Sequence, residues 1–408
     1  MTEHTFDVDR ARADTPGCRE VIHLNNAGAA LMPSPVVNAV VEHLRLESRI
    51  GGYEAAERAT DSIEHTYAAL AELLGCERAE IAFVENATRA WDMAFYSLRL
   101  GRGDRILTAR AEYASNYIAY LQVAQRTGAS VEVIDSDASG QVSIEALRAL
   151  MDERVKLIAI THVPTSSGLV NPAAAIGAVA REYGVPFLLD ACQSVGQMET
   201  QVDVMGCDML SGTGRKYLRG PRGTGFLYVR SGLLERLEPP FLDLHAATWA
   251  AADRYEIRPD ARRFENWESN IAGKIGLGVA VDYALSWGMP KVRQRIAPLA
   301  ERFRSELDRI PGVTVRDPGA ERCGIVTFTL DGYATSEVQR ALAERRINVT
   351  TSSRASTRMD MEARNLQGVV RASVHYYNTD DEIALVCETI EALRQNGPHQ
   401  TGDRSGVG

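Results

Sequence analysis

Several features of membrane, nucleic-acid-binding and disulfide-rich proteins are missing from this chain of 408 residues. No apolar run approaches the roughly 20 residues that a transmembrane helix needs, and the polar start MTEHTFDVDR is not a signal peptide. The formal net charge of −9 and the lack of a basic run argue against a nucleic-acid partner. The six cysteines are scattered without a C-x-x-C pair, which disfavours disulfides or a zinc site. We therefore expect a cytoplasmic protein with no metal site and no membrane or nucleic-acid partner.

The composition that remains is that of a globular protein, 45% hydrophobic and 24% charged, with a length typical of two domains. Alternating apolar runs and helical patterns between about residues 80 and 230 predict an α/β domain with a mostly parallel sheet. We expect residues 235–275 to form an irregular segment. From about residue 275 the pattern is that of a smaller α+β domain with an antiparallel sheet. The expected parts are an N-terminal arm that joins the small domain (1–35), the large domain (36–274), the small domain (275–397) and a disordered tail (398–408).

One lysine, Lys216, lies in a glycine-rich stretch between two strand-like runs, SGTGRKYLRGPRGTGFLY. A lysine on such a loop can act as a nucleophilic amine, because partial burial lowers its pKa towards neutrality. The alternative is a surface lysine beside a turn. A nucleotide-binding loop is excluded, since neither G-x-x-x-x-G-K-[ST] nor G-x-G-x-x-G occurs.

An aspartate at the end of an apolar run favours the catalytic interpretation. The run VPFLLD ends in Asp190, which lies 26 positions before Lys216, enough for one more short strand. Both side chains are therefore predicted at neighbouring strand ends, where open α/β sheets bind ligands. An aspartate that keeps a pyridinium nitrogen protonated, with a lysine that forms a Schiff base, is the arrangement that pyridoxal phosphate chemistry needs.

The motifs D-A-C-Q-S, S-G-T-G-R-K and G-P-R-G-T-G, in this order, resemble those of the class V aminotransferase family of pyridoxal-phosphate enzymes. This family includes cysteine desulfurases, selenocysteine lyases, isopenicillin N epimerases and hercynylcysteine sulfoxide lyases. The resemblance extends from LNNAGAA to RASVHYYNT, nearly the whole chain. It implies the α/β fold of PLP-dependent transferases of fold type I, pyridoxal 5'-phosphate as the cofactor, and a homodimer with shared active sites.

The resemblance also assigns residues to the cofactor. Ala87 and Thr88 would begin a helix whose free N–H groups suit a phosphate. Tyr113 would stack on the ring and act with Lys216 as a catalytic group, although helix capping by Thr88 or Asn86 and simple packing of Tyr113 stay open as alternatives. Thr165 and Gln193 would contact the phenolic oxygen. The complete set of cofactor-binding residues is Ala87, Thr88, Tyr113, Thr165, Asp190, Gln193, Thr213, Arg215 and Lys216. In this set, Thr213 and Arg215 match phosphate-binding positions.

Two residues are assigned to an amino-acid substrate by the same resemblance. Arg371, before the YNT turn, matches the arginine that binds the α-carboxylate through two hydrogen bonds. Asn26 belongs to the small-residue turn N-N-A-G-A-A, which lies beside the substrate in the family.

Two departures from the family pattern bear on function. The region INVTTSSRASTRMDMEARNLQG has no cysteine where persulfide-forming desulfurases carry their nucleophile. We therefore expect a PLP-dependent lyase that cleaves the C–S bond of a cysteine-derived amino acid by β-elimination. An epimerase or aminotransferase of the same fold, and a PLP-binding regulator or inactive paralogue, stay open.

The second departure lies in RRFENWESN, which resembles a family segment that reaches the partner subunit's phosphate. Trp267 and Glu268 replace a Gly-Thr pair there. Since a glutamate would repel a phosphate, Ser269 or Asn270 is expected to make that contact.

Overall fold

A seven-stranded sheet forms the centre of the protein, whose computed structural model describes residues 6–397. The strands of the described chain are β1 (Ile22–His23), β2 (Ile81–Val84), β3 (Arg105–Ala109), β4 (Ser130–Ile134), β5 (Val155–Thr161), β6 (Phe187–Asp190), β7 (Met209–Thr213), β8 (Gly225–Val229), β9 (Ala247–Ala251), β10 (Arg254–Ile257), β11 (Val313–Val315), β12 (Ile325–Leu330), β13 (Ile347–Asn348), β14 (Thr350–Ser353) and β15 (Gly368–Ser373). The predicted tail, 398–408, lies outside the described residues.

Helices connect most of the strands of the described chain. They are α1 (Val8–Ala13), α2 (Asn26–Ala29), α3 (Ser34–Ile50), α4 (Gly52–Arg58), α5 (Thr60–Leu74), α6 (Ala87–Tyr96), α7 (Ala114–Thr127), α8 (Ile144–Leu150), α9 (Ala173–Tyr183), α10 (Val202–Met205), α11 (Ser231–Leu234), α12 (Ile271–Trp287), α13 (Met289–Leu307), α14 (Thr335–Glu344), α15 (Arg358–Ala363) and α16 (Asp380–Asn396). Within residues 6–397, no helix is long and apolar enough to cross a membrane.

The large sheet has the strand order β2-β8-β7-β6-β5-β3-β4, with β8 antiparallel to its neighbours and the other six strands parallel to one another. Every residue of β2, β6, β7 and β8 is buried. This burial explains why the sequences of these strands are nearly continuous runs of apolar or small residues. The predicted α/β class with a mostly parallel sheet is confirmed.

A second sheet, with the order β11-β12-β15-β14, is antiparallel throughout. The chain's early segment lies against this part of the molecule, because β1 pairs in parallel with β13 and Asn25 forms a bridge with Ser373. The domain boundaries at residues 35, 274 and 397 stay a prediction.

The stretch 235–275, which was interpreted as irregular, contains an antiparallel hairpin of β9 and β10. Its side chains are mostly exposed, including Trp249 and Tyr255. A strand without a buried face has no alternation of apolar and polar residues, so the sequence pattern did not indicate it. After the hairpin, α12 packs against α3 and α5 and is buried along most of its length.

Candidate active site

The carboxyl ends of three adjacent parallel strands form the floor of the candidate site. Thr161 of β5 is paired with Asp190 of β6, and Asp190 is paired with Ser211 of β7. Lys216 follows β7 in a tight loop that the Gly220 amide closes by donating to the Gly214 carbonyl at 2.7 Å. The sheet register therefore brings Asp190 and the lysine loop to one edge, as the sequence predicted.

One cavity of about 270 Å³ lies above this floor. All nine residues predicted to bind the cofactor line it: Ala87, Thr88, Tyr113, Thr165, Asp190, Gln193, Thr213, Arg215 and Lys216. Asn86, Thr161, Val163 and Cys192 line it as well. The structure thus brings the whole predicted set together, while the role of each residue stays a prediction.

The start of α6 forms one end of the cavity. The Asn86 side-chain oxygen accepts a hydrogen bond from the Arg89 amide at 2.9 Å, so Asn86 rather than Thr88 caps the helix. The amides of Ala87 and Thr88 are among the first N–H groups of the helix, which have no carbonyl partner within it. This leaves both amides and the Thr88 hydroxyl available to an anion.

A glycine permits the close approach of β8 to this helix start. A Cβ atom on Gly225 would lie 2.5 Å from the Asn86 carbonyl carbon and 2.8 Å from the Ala87 nitrogen. Nearby, the Arg215 guanidinium donates to the Gly28 carbonyl. Burial lowers the pKa of Arg215, which nonetheless stays cationic at neutral pH. A helix N-terminus and a guanidinium on one cavity suit a phosphate dianion.

Asp190 and Lys216 line the same cavity. Asp190 is only 6% exposed, and its carboxylate accepts hydrogen bonds from the Cys192 amide at 3.0 Å and the Asn116 side-chain amide at 3.1 Å. Burial lowers the pKa of Lys216 to about 8. The amine is therefore partly neutral near physiological pH, as a nucleophile or base must be.

Arg371, on β15, lies behind Thr165. Its Nη1 donates to the Thr165 hydroxyl at 2.5 Å and carbonyl at 3.2 Å, and its Nη2 donates to the Asn25 side-chain oxygen at 3.3 Å. The buried Nε has no hydrogen-bond partner among the described residues. Nε and Nη2 lie on the same edge of a guanidinium, so this edge offers two donors to a carboxylate. Burial lowers the pKa of Arg371 to about 10, and the group remains charged.

Asn26 was predicted to bind the substrate, and this role stays a prediction. Asn26 was expected beside the substrate, but its side chain is fully buried and donates to the carbonyls of His23, at 3.2 Å, and Ser373, at 2.7 Å. Its oxygen accepts from the Tyr377 hydroxyl. Because all its polar atoms are used inside the protein, Asn26 does not face the cavity, and its neighbour Asn25 contacts Arg371 instead.

Sequence analysis missed Glu112, which lies beneath the cavity floor. This buried carboxylate accepts from the Tyr113 amide at 2.9 Å and from the Asn116 side chain at 2.9 Å, and it also contacts Thr161. The four-residue spacing of Glu112 and Asn116 was a usable signal for a contact across one helical turn. An acidic residue at the start of a helix has an ordinary explanation, however, since it suits the helix dipole.

The positions of the cysteines indicate whether a thiol near the cavity could act as a sulfur nucleophile. The loop between β14 and β15 contains no cysteine, and it lies against the cavity wall, because the Ala114 amide donates to the Ser356 carbonyl at 2.9 Å. Cys192 lines the cavity, but burial, reinforced by the nearby Asp190 charge, raises the pKa of its thiol well above the usual range. That thiol therefore stays protonated and is a poor nucleophile.

Comparisons with known proteins agree with this geometry. Residues 22–386 match the family model for aminotransferase class-V. A probable cysteine desulfurase of Methanothermobacter thermautotrophicus is 30% identical over 396 residues, which cover 96% of this chain and 99% of the relative. The apo structure of a cysteine desulfurase from Thermococcus onnurineus superposes with a TM-score of 0.90 at 28% identity, covering 97% of this chain and 100% of that one.

A more distant structure shares the fold. It is a complex of a cystine C-S lyase with its product cysteine persulfide, with a TM-score of 0.83 at 24% identity, covering 92% of this chain and 98% of that one. The family match confirms the expected resemblance, the type I fold and pyridoxal 5'-phosphate as the cofactor of this family. The residues of this cavity fit that cofactor, since anion donors, a buried carboxylate and a partly neutral lysine all line it.

Proposed function

Because the chain belongs to the aminotransferase class-V family, we propose that it is a pyridoxal-phosphate-dependent lyase that cleaves the C–S bond of a cysteine-derived amino acid by β-elimination. Relatives that are named cysteine desulfurase support a substrate of the cysteine type. One observation supports release of the sulfur without a persulfide on the protein: the loop between β14 and β15 lies beside the cavity and has no thiol. The sulfur leaving group is then released rather than held as a persulfide on the protein.

Each side chain has a definite task in this proposal. Pyridoxal phosphate, when bound, supplies an electron sink that makes the α-proton of an amino acid acidic. Lys216 would hold the cofactor and would accept the α-proton at Nζ. Asp190 would keep a proton on the ring nitrogen, and the Nε edge of Arg371 would bind the α-carboxylate. Tyr113 would pack against the ring and would donate its phenolic proton to the leaving sulfur.

The bond changes balance without an added oxidant or reductant. The α-carbon loses a proton, the C–S bond breaks with its electron pair on sulfur, and the sulfur fragment leaves as a thiol. Aminoacrylate, the three-carbon product, takes up water and gives pyruvate and ammonia. Cys192 does not trap the sulfur, because its thiol stays protonated.

A second candidate is an epimerase, and it is favoured by one observation. The Tyr113 phenol lines the same cavity as Lys216. A proton returned to the α-carbon from Tyr113 would invert the configuration, whereas return to a cofactor carbon would give transamination. An inactive paralogue is disfavoured, because Lys216, Asp190 and Arg371 are all present.

A homodimer with shared active sites is part of the proposal. Trp267 is 53% exposed, and the adjacent Glu268 is also exposed, which leaves this segment free to meet a second copy of the chain. Ser269 or Asn270 of that copy would then contact the cofactor phosphate. Co-expression of two differently tagged inactive variants, one in Lys216 and one in Asn270, tests this arrangement by partial recovery of activity in the mixed dimer.

A substrate panel tests the reaction. Purified protein loaded with cofactor is incubated separately with L-cysteine, cystine, cysteine sulfinate, a cysteine S-conjugate and the sulfoxide of that conjugate. Pyruvate, sulfur products and amino-acid chirality are measured together. Release of pyruvate in equal amount with a thiol or other sulfur fragment supports β-elimination and identifies the leaving group.

Other outcomes overturn the proposal in distinct ways. Loss of optical purity without pyruvate assigns the protein to the epimerase class. A keto acid that retains the substrate side chain assigns it to the aminotransferases. Alanine with protein-bound sulfur means that one of the six cysteines accepts sulfur after all.

A further inference from the structure

The Glu112 carboxylate is 3% exposed and is held by five hydrogen-bond donors. Backbone amides of Tyr113 and Thr161 donate to it at 2.9 and 3.2 Å. The hydroxyls of Thr108, at 3.0 Å, and Thr161 also donate, as does the side-chain amide of Asn116 at 2.9 Å. Such a shell accommodates the charged form, since a buried carboxylate is costly unless it is well hydrogen-bonded.

This shell connects Glu112 to Asp190 through one amide group. Asn116 donates from its Nδ2 to Glu112 Oε1 at 2.9 Å and to Asp190 Oδ2 at 3.1 Å. Both hydrogens of the amide are therefore used to join two carboxylates. The orientation of Asp190 depends on this bridge, because its other side-chain hydrogen bond comes from the Cys192 amide alone.

Two carboxylates face one neutral amide beneath the cavity. Within the described residues, the hydrogen bonds to the Glu112 and Asp190 carboxylates all come from neutral groups. Burial raises the pKa of Glu112 to about 7, and the Asp190 charge acts in the same direction. A cationic N–H group placed against Asp190 would be stabilised by both charges.

We propose that Glu112 is a positioning residue that fixes the Asp190 carboxylate through Asn116 and adds its own charge to the part of the cavity that receives a protonated ring nitrogen. This inference rests on the proposed function in one respect, the pairing of Asp190 with the ring nitrogen of pyridoxal phosphate. It makes Glu112 a determinant of the ring's protonation, which controls how well the ring withdraws electrons.

The test compares two ligands that differ only at the ring nitrogen. Apo-protein is titrated with pyridoxal 5'-phosphate and with its 1-deaza analogue, in which a C–H group replaces that nitrogen. For Glu112→Gln we expect binding of pyridoxal phosphate to weaken about tenfold, as for a change of one pKa unit. Binding of the deaza analogue should change less than twofold. An equal loss for both ligands means a purely structural role and overturns the proposal.

Asn116→Leu is the matched variant, because it removes the bridge and leaves four of the five Glu112 contacts in place. It should also weaken pyridoxal phosphate binding selectively, because Asp190 loses the hydrogen bond that fixes it while the Glu112 charge remains. An equal loss for both ligands in Asn116→Leu contradicts positioning of Asp190 through Asn116. Thermal unfolding of each apo-protein identifies a variant that fails to fold, in which case Asn116→Leu carries the ligand comparison alone.

Failure of this inference is distinguishable from failure of the proposed function. The two titrations use no substrate, so they give the same answer whether the enzyme eliminates, epimerises or transaminates. If pyridoxal phosphate does not bind the unaltered protein at all, the enzyme assignment itself is wrong.

Discussion

Two parts of the cofactor cavity differ in how their polar groups are satisfied by the protein. At the ring end, the part with Asp190 that we propose for the cofactor ring, Asp190 already accepts two hydrogen bonds, one of them from Asn116. At the phosphate end, the start of α6 that we propose for the cofactor phosphate, the amides of Ala87 and Thr88 have no such partners within the helix. The ring end is therefore preorganised by the fold, whereas the phosphate end depends on the anion that it binds.

The largest expected effect is that of Lys216→Ala at the ring end. Loss of the amine removes both the covalent hold on the cofactor and the base for the α-proton, so turnover should fall about 10³-fold. Because the phosphate end is intact, the variant should still bind pyridoxal phosphate, but dialysis should remove it. Pyruvate release and visible absorbance after dialysis measure the two effects. Unchanged turnover would exclude Lys216 as the catalytic lysine.

Arg371→Lys should cost about 2 kcal/mol of transition-state binding, or roughly 30-fold in kcat/KM, because an ammonium cannot reproduce the paired donors of the Nε edge. Cofactor affinity should be unaffected, since Arg371 does not line the cofactor cavity. Steady-state kinetics and a cofactor titration measure both quantities. Weaker cofactor binding together with an unchanged KM would contradict the assignment of Arg371 to the substrate.

Alanine substitutions at the adjacent residues Asn26 and Asn25 should have different effects, one on stability and the other on substrate binding. Asn26→Ala should lower the free energy of unfolding by about 2 kcal/mol, because it leaves buried polar partners unsatisfied. Asn25→Ala should change stability little and raise KM, since Asn25 supports Arg371. Urea denaturation and substrate kinetics separate the two. The reverse pattern would restore Asn26 as the substrate-side residue.

The protonation of Lys216 predicts a pH dependence. The amine attacks the cofactor aldehyde only when neutral, and burial lowers its pKa to about 8. The rate of cofactor capture by apo-protein should therefore rise about tenfold from pH 7 to pH 9 and then level off. Stopped-flow absorbance measures this rate. A rate that continues to rise beyond pH 10 would mean that the amine has the ordinary pKa of an exposed lysine.

Thr88→Val is expected to have the smallest effect. Removing one hydroxyl from the phosphate end should weaken the binding of pyridoxal phosphate about fivefold, or about 1 kcal/mol. The binding of pyridoxal, which lacks the phosphate, should not change. Stability should be retained, because Asn86 caps the helix. Equal weakening of both ligands would mean that Thr88 does not contact the phosphate.

The sequence was sufficient to predict the groups that stand in contiguous motifs at strand ends. Asp190 and Lys216 fall into this class, because parallel strands bring their carboxyl ends to one edge. Glu112 was missed because its contacts include Thr161, 49 positions away, and no local pattern indicates such a pair. The contact of Asn25 with Arg371 was not predicted, since a short turn does not reveal which of two adjacent asparagines points towards that arginine.

The pairing of β1 with β13 has a consequence for the order in which the protein is completed during synthesis. Residues 22–23 cannot form their strand pairing until residues 347–348 have been synthesised. At about 5–20 residues per second, the ribosome needs roughly 16–65 s to add the intervening chain. The residues that line the cofactor cavity, by contrast, all lie between Asn86 and Lys216. A nascent chain therefore contains every group of the cofactor cavity well before Arg371 exists, and the growing chain has its means of holding the cofactor before its means of holding the substrate.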